Sequence, residues 1–430
     1  MKFLVNGGKP LKGEIKLAGA KNAATKLLVA SMLTDEASVL ENFPQIGDAE
    51  ITFSLCEELG AEIRRDGSTV SVRTPKIKST SVSSLSRRNR IPILAIGPLL
   101  ARAGEAEVPT VGGDKIGARP VDIHLEALRN LGAEITISDS FYRASAPKGL
   151  HGAELEFRFP SVGATENVLL TSVLAEGRTV VRNAALEPEI IDLIKFLQKM
   201  GAIIELGTNR TIRVEGVRRL RGARHRILPD RNEAVSFACL AIATDGDIFV
   251  KEAIQEHLIT FLNTIRRIGG DYEVGESGIR FFKAGNLRST DIETGAHPGF
   301  MTDWQQPLAI VLTQANGESR IHETIYEDRF GYTRDLNSMG AHIKVTTDCS
   351  IVSCRFVGKS PHFAEITGPT PLRGTKLEVP DLRAGMAHLT AALIAEGESE
   401  ITGIEEIDRG YERIDERLRY LGADIRRIGD

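Results

Sequence analysis

The chain has 430 residues, of which 42% are hydrophobic and 26% charged, with a formal net charge of −4. That is the composition of a soluble globular protein long enough for two to four domains. It lacks the basic excess that drives nucleic-acid binding, so any anion site must be built locally from a few placed Lys and Arg.

No apolar run reaches membrane-spanning length. The start, "MKFLVNGGKP", lacks the apolar stretch of a signal peptide, so a cytoplasmic protein is expected. Of the four cysteines (Cys56, Cys239, Cys349 and Cys354), only the last two are close in sequence. No His or Cys cluster of metal-ligand spacing is legible. Reduced thiols and no metal are the expectation.

Along the chain one unit recurs. "LGAEI" at 59–63 returns at 131–135, and degenerate copies follow as "MGAII", "IGGDY", "MGAHI" and "LGADI". Their glycines are Gly60, Gly132, Gly201, Gly269, Gly340 and Gly422. The period, about 70 residues, is longer than the 20–50 of solenoid repeats. A second series interleaves, from "SMLTDEASVLEN" through "SVLAEGRTVVRN" to "ALIAEGESEITG". Each is the tail of a small-residue apolar helix, then a turn, then a β-rich run. The unit therefore reads helix, turn, strand, helix, glycine turn, strand. The second helix is amphipathic: in "RPVDIHLEALRNLG", Ile123, Ala127, Leu128 and Leu131 share a face. Six units suit two domains of three. The last interval is longer, and its extra residues lie around "CRFVGKSPHFAEITGPTPLRG" (354–374), which reads as a long loop or an added hairpin in the last unit.

The repeat frame aligns charged residues. Arg119 and Arg409 each lie 13 residues before their turn glycine, at the expected start of a second helix. Pro120 suits a first helical turn. Free N–H groups and Arg at a helix start make an anion site. Arg at that end opposes the macrodipole, so something negative must offset it, with Asp122 and Asp408 as local options. Ser161, Asp230 and Asp381 fall at first-helix starts, where each also reads as a plain N-cap. Arg90, Asp303, Lys21 and Asn22 open the corresponding helices of other units, and His297 reads as a lone structural histidine in a turn. Asp114, on the glycine tip "GGDKIGARP", reads either as a solvated acid paired with Lys115 or as a functional group.

Taken in order, "GAKNAA" (19–24), "GGDKIGARPVDIH" (112–124), "SVGAT" (161–165), "LPDR" (228–231), "HPGFMTD" (297–303), "YEDRF" (326–330), "DLRA" (381–384) and "IDRGYERI" (407–414) resemble the UDP-N-acetylglucosamine 1-carboxyvinyltransferase family of enolpyruvyl transferases. The resemblance spans essentially the whole chain. It implies a two-domain inside-out α/β barrel of six βαβαββ-type units. Residues 1–20 and 229–430 would form one discontinuous domain, and residues 21–228, with the 111–120 loop, the other. Ligands would bind in the cleft separating them.

The implied reaction moves the enolpyruvyl group of phosphoenolpyruvate onto the 3-hydroxyl of UDP-N-acetylglucosamine and releases phosphate, in peptidoglycan synthesis. By the same resemblance, Lys21, Arg90, Arg119 and Arg409 clamp phosphoenolpyruvate. Asp303 is the base near the sugar hydroxyl. Asn22, Arg90, Asp122, Ser161, Val162, Gly163, Asp230, Arg231, Asp303 and Arg329 serve the nucleotide sugar, and Asp381 and Arg383 belong to the same cleft. No cofactor, protein partner, nucleic acid or membrane is implied. The family usually carries Cys where this chain has Asp114; a carboxylic acid there would deliver the proton and resist fosfomycin, which alkylates that thiolate. Lys115 and Arg119 favour its charged form, and an arriving phosphate would favour the proton. Phe159 and Pro160 replace a commonly basic position, with Arg158 close by, and Leu94 replaces a frequent Trp, so the uridine contacts are expected to differ. The alternatives are a 5-enolpyruvylshikimate-3-phosphate synthase-like enzyme and a non-catalytic sugar-nucleotide binder.

Overall fold

A computed structural model describes residues 1–82, 90–110, 117, 120–349, 354, 356 and 358–429. Asp114, Lys115 and Arg119 lie outside the described residues. The described chain divides into two compact units, residues 1–18 with 229–429 and residues 19–110 with 120–228.

Each unit contains three small sheets of one design. In the sheet Arg224–Arg226, Ser38–Glu41, Thr69–Arg73, Glu62–Asp66, the first pair is parallel and the other two are antiparallel. The sheets around Arg178–Arg182, Asp247–Lys251, Gly317–His322 and Glu398–Thr402 repeat that order. The sheet of Glu105–Pro109, Phe141–Ser145 and Glu134–Ile137 has three strands, its parallel neighbour reduced to a single bridge from Ser81 to Glu107. The repeat seen in sequence is thus a repeat of sheets: the strand after each of the first four glycine turns is followed by a hairpin back to a further strand, while the strand after Gly422 pairs with Lys2–Asn6.

The six repeat glycines have a common cause. Gly60, Gly132, Gly201, Gly269, Gly340 and Gly422 all sit at positive φ, from 97 to 114°, within two residues of the end of the second helix of their unit. Helices end cheaply there because glycine has no Cβ penalty in the left-handed region.

Sequence order and spatial order part at the N-terminus. Lys2–Asn6 runs antiparallel in the middle of its sheet, with Lys2 opposite both Thr402 and Ile428. Lys12–Lys16 joins Asp247–Lys251 as its parallel neighbour. Residues 2–16 therefore complete sheets made by the C-terminal half of the chain. Without them Asp247–Lys251, Glu398–Thr402 and Asp424–Ile428 would each lose a hydrogen-bonded neighbour.

The first helices of the repeats form the interior. Arg231–Ala243, Gln305–Thr313 and Leu382–Ile394 pack on one another and are buried on nearly every side. In the other unit Ile96–Ala103 packs on Val162–Ser172, which is likewise buried almost throughout. A helix apolar all round belongs in a core, with the sheets outside it. Second helices such as Pro188–Lys199 bury only one face. No helix among the described residues is long and apolar enough to cross a membrane.

Two expectations are corrected. The extra residues of the last interval do not form an added hairpin in the last unit. Phe363–Gly368 is the ordinary central strand of the fifth sheet, paired with Gly317–His322 and His342–Thr346, so the extra length falls in the connection 347–362. The absence of a metal-type cluster also fails as a description of the structure. His322, Cys349, Cys354 and His362 each place a ligand atom within 4.8 Å of the others. Strand pairing sets His322 opposite Phe363, the neighbour of His362, across a sequence gap that hides the pair.

Candidate functional site

In the unit holding residues 229–429, the centre is Asp303. It lies in the turn Thr302–Trp304 that leads into Gln305–Thr313. One carboxylate oxygen accepts from Arg329 Nη2 at 2.5 Å and the other from Arg383 Nε at 3.0 Å. The two arginine side chains are 3% and 6% exposed, the carboxylate 23%. Two buried cations thus present one carboxylate to solvent.

Such cations need partners, because removing a charge from water costs several kcal/mol. Burial pulls the Arg383 guanidinium down, but Tyr411, Asp303 and Asp230 outweigh it and the net direction is up. Arg329 behaves likewise: burial opposes the charge, and Asp303, Asp381 and Glu323 overcome it. Arg383 Nη1 also donates to the Tyr411 hydroxyl at 3.1 Å, which lies 2.9 Å from Ser236 Oγ. With its amide oxygen turned toward Arg329, Gln306 accepts from Nε at 2.7 Å and donates to the Thr302 carbonyl at 3.1 Å.

Glu323 organises the backbone around this cluster. Its fully buried carboxylate accepts from Thr294 (3.0 Å), Thr302 (2.8 Å) and the amides of Ile325 (2.8 Å) and Tyr326 (3.2 Å). It therefore ties the residue before Asp303 to the turn that delivers Arg329. Burial raises its pKa, against the opposing pull of Arg329 and these donors.

Asp230 and Asp381 are N-caps in geometry. Asp230 accepts from the amides of Asn232 (2.7 Å) and Glu233 (3.3 Å), and Asp381 from those of Arg383 (2.9 Å) and Ala384 (3.1 Å). The Asp381 cap thereby holds the backbone of Arg383. Arg231 is buried, stacked 5.6 Å over Trp304, with Nη1 3.3 Å from His297 Nδ1, so His297 is not a lone turn residue.

Arg409 is not at a helix start. It follows the short helix Glu405–Asp408 and pairs with Glu406 at 2.6 Å, whereas the next helix begins at Ile414 after Arg413 at φ 44°. Asp408 bonds Arg427 at 2.7 and 2.8 Å. Equal spacing from the glycine hid this, because the helix Ile414–Tyr420 begins later than the counterpart Asp122–Asn130 that follows Arg119.

In the other unit, Lys21 is the first residue of Lys21–Ala30, followed by Asn22. Its ammonium lies 2.8 Å from Asp48, with the side chains 14% and 7% exposed. Asp48 offsets a cation placed against a helix dipole, and nothing in its sequence neighbourhood signals that role. Arg90 precedes the turn Ile91–Ala95, and the helix proper begins only at Ile96.

Asp122 is the first residue of Asp122–Asn130, and Pro120 lies outside the helix. Asp122 pairs with Arg158, whose hydrogen bond holds the carboxyl below its usual range. Ser161 caps Val162–Ser172, accepting from the Ala164 amide at 3.3 Å. Gly163 is needed for close approach: a Cβ there would sit 2.8 Å from His124 Cε1. His124 joins Asp122 to this helix start, with Nδ1 3.3 Å from Asn167 Nδ2.

Burial, then the charge of Arg90, pushes the His124 pKa down to about 3, against a smaller pull from Asp122. It is neutral in the folded protein, while the unfolded chain protonates near pH 6.5. The unfolded state thus binds more protons across that interval, so stability is complete above about pH 6.5 and falls as pH drops toward 3. Denaturant titrations from pH 7 to pH 4 are expected to show a loss that His124→Gln flattens. An equal slope in the variant contradicts this assignment.

Repeated sheets around buried first helices, with charged residues at the helix starts, define an enolpyruvyl transferase-type fold. The structure of the enolpyruvyl transferase NikO from Streptomyces tendae matches with a TM-score of 0.87 at 23% identity, covering 99% of this chain and 98% of that one. An EPSP synthase structure from Acinetobacter baumannii matches with a TM-score of 0.75 at 18% identity, covering 99% of each chain. The EPSP synthase (3-phosphoshikimate 1-carboxyvinyltransferase) family matches residues 5–418, and the chain belongs to it. Among curated relatives, UDP-N-acetylglucosamine 1-carboxyvinyltransferase of Protochlamydia amoebophila is 49% identical, over 98% of this chain and 93% of its own length. The enzyme of that name from Chlamydia trachomatis serovar D is 49% identical over 98% and 97%.

Proposed function

We infer that the chain transfers the enolpyruvyl group of phosphoenolpyruvate to the 3-hydroxyl of UDP-N-acetylglucosamine, releasing phosphate, as a cytoplasmic step of peptidoglycan synthesis. The observation that carries this reading is the Asp303 carboxylate, fixed by Arg329 and Arg383 and facing solvent. The names of the 49%-identical relatives support the choice of acceptor.

The chemistry is addition then elimination. A proton reaches the methylene carbon of phosphoenolpyruvate as the sugar oxygen bonds to C2. The tetrahedral intermediate then loses phosphate and a methyl proton, leaving an enol ether. Asp303 takes the hydroxyl proton, and Asp114 supplies the carbon-bound one. Lys21, Arg90, Arg119 and Arg409 hold the carboxylate and phosphate. Asn22, Asp122, Ser161, Val162, Gly163, Asp230, Arg231 and Arg329 serve the nucleotide sugar, while Asp381 and Arg383 hold the surroundings of Asp303. Placed cations stabilise developing phosphate charge by preorganisation.

The family description names a second acceptor, shikimate 3-phosphate. Phosphate release from phosphoenolpyruvate separates the readings. It is expected with UDP-N-acetylglucosamine, and to stay at background with shikimate 3-phosphate or with no acceptor. Release with shikimate 3-phosphate alone overturns the proposal, and release with neither makes the chain a binding protein.

A further inference from the structure

The connection 347–362 joins the strands His342–Thr346 and Phe363–Gly368 of the fifth sheet, and it carries chemistry the transfer reaction does not use. His322 ends the strand Gly317–His322, and His362 immediately precedes its partner Phe363–Gly368. Their rings lie edge to face, 5.5 Å apart. Cys349 and Cys354 come from the connection itself, and neither is in a disulfide. All four ligand atoms fall within 4.8 Å of one another.

Both histidines are oriented as ligands. His322 Nδ1 lies 3.0 Å from the Glu293 carboxylate, which accepts its proton and leaves Nε2 as a lone pair 3.3 Å from Cys354 Sγ. His362 Nδ1 donates to the Ser360 carbonyl at 2.8 Å. Its Nε2 is buried with no hydrogen-bond partner among the described residues, in a side chain of 0% exposure. An imidazole held through one nitrogen by a carboxylate or carbonyl, with the other aimed inward, is how proteins orient metal-bound histidine. A buried nitrogen without a partner is destabilising unless something fills its lone pair.

We propose that His322, Cys349, Cys354 and His362 bind one zinc ion. Two sulfur and two nitrogen donors suit tetrahedral zinc. Bond lengths of about 2.0–2.3 Å put tetrahedral ligand atoms about 3.3–3.8 Å apart, so the cluster needs little contraction. Each thiol gives up its proton on binding, and two thiolates with two neutral imidazoles balance the dication. Four protein ligands leave no open position, so the ion is structural. It ties the long connection to the ends of two paired strands. His322 adjoins Glu323, so the tie also steadies the turn that delivers Arg329.

The test is the metal content of full-length protein purified in reductant without chelator. One zinc per chain is expected in the wild type and in Cys56→Ser, and none in Cys349→Ser/Cys354→Ser. Glu293→Gln is expected to bind about 10–100-fold more weakly, the usual loss for a ligand's supporting carboxylate. A strong chelator is expected to lower the melting temperature of the wild type but not of the double variant. Cobalt(II) in place of zinc is expected to give the intense absorption of a tetrahedral thiolate site, a readout that stands even where the variants fail to fold. Protein that stays metal-free after equilibration with zinc, a pale octahedral cobalt spectrum, or a Cys349–Cys354 disulfide in reductant-purified protein overturns the proposal.

Discussion

Asp303→Asn is expected to lower kcat by about 10²–10⁴, the usual contribution of a positioned general base. The substitution keeps the size of the side chain and removes its charge and proton affinity. It also leaves two buried guanidinium groups without their shared carboxylate. Breaking a buried ion pair costs about 3–5 kcal/mol when a charge is stranded. Here Arg383 keeps Tyr411 and Asp230, and Arg329 keeps Asp381 and Glu323, so about 3 kcal/mol is expected. The two effects separate by experiment. A folded variant with much reduced kcat supports the catalytic role. A variant that loses stability but turns over within a few-fold of wild type gives Asp303 a structural role only.

The second large effect concerns Asp114. If it is the proton donor to the methylene carbon, as proposed, it must be protonated when phosphoenolpyruvate is bound. Activity is then expected to fall as pH rises through the pKa of the donor in the complex. Asp114→Asn removes the proton and is expected to cost about 10²–10⁴ in kcat and abolish that limb. Asp114→Cys restores a donor of higher ordinary pKa, about 8.5 against 3.9, so its limb moves to higher pH. The cysteine variant is also expected to be inactivated by fosfomycin, while the wild type is not, because a carboxylate is the weaker nucleophile. Full turnover by Asp114→Asn, or rapid fosfomycin labelling of the wild type at Asp114, contradicts the role.

What could be read in the sequence followed from local rules. The six repeat glycines were visible because a helix end of one geometry recurs and only glycine enters it freely. Asp230, Asp381 and Ser161 were visible as caps because an N-cap contacts amides two or three residues on. Long-range partners were not. Lys21 finds Asp48 through the packing of one helix on the next, and Arg383 finds Tyr411 across the core of its unit. Glu323 looks like any acid at a strand end, yet it is buried and carries four hydrogen bonds. The His–Cys cluster escaped for the same reason: its histidines meet through strand pairing. Arg409 shows the reverse failure, where a matched spacing suggested a helix start that the short final helix does not provide.

The most direct test is product identification after incubating the protein with phosphoenolpyruvate and UDP-N-acetylglucosamine. A nucleotide sugar carrying one added enolpyruvyl group at the 3-oxygen of the N-acetylglucosamine, formed mole for mole with phosphate, is the predicted result. Unchanged UDP-N-acetylglucosamine in the presence of protein that demonstrably binds both substrates would contradict it.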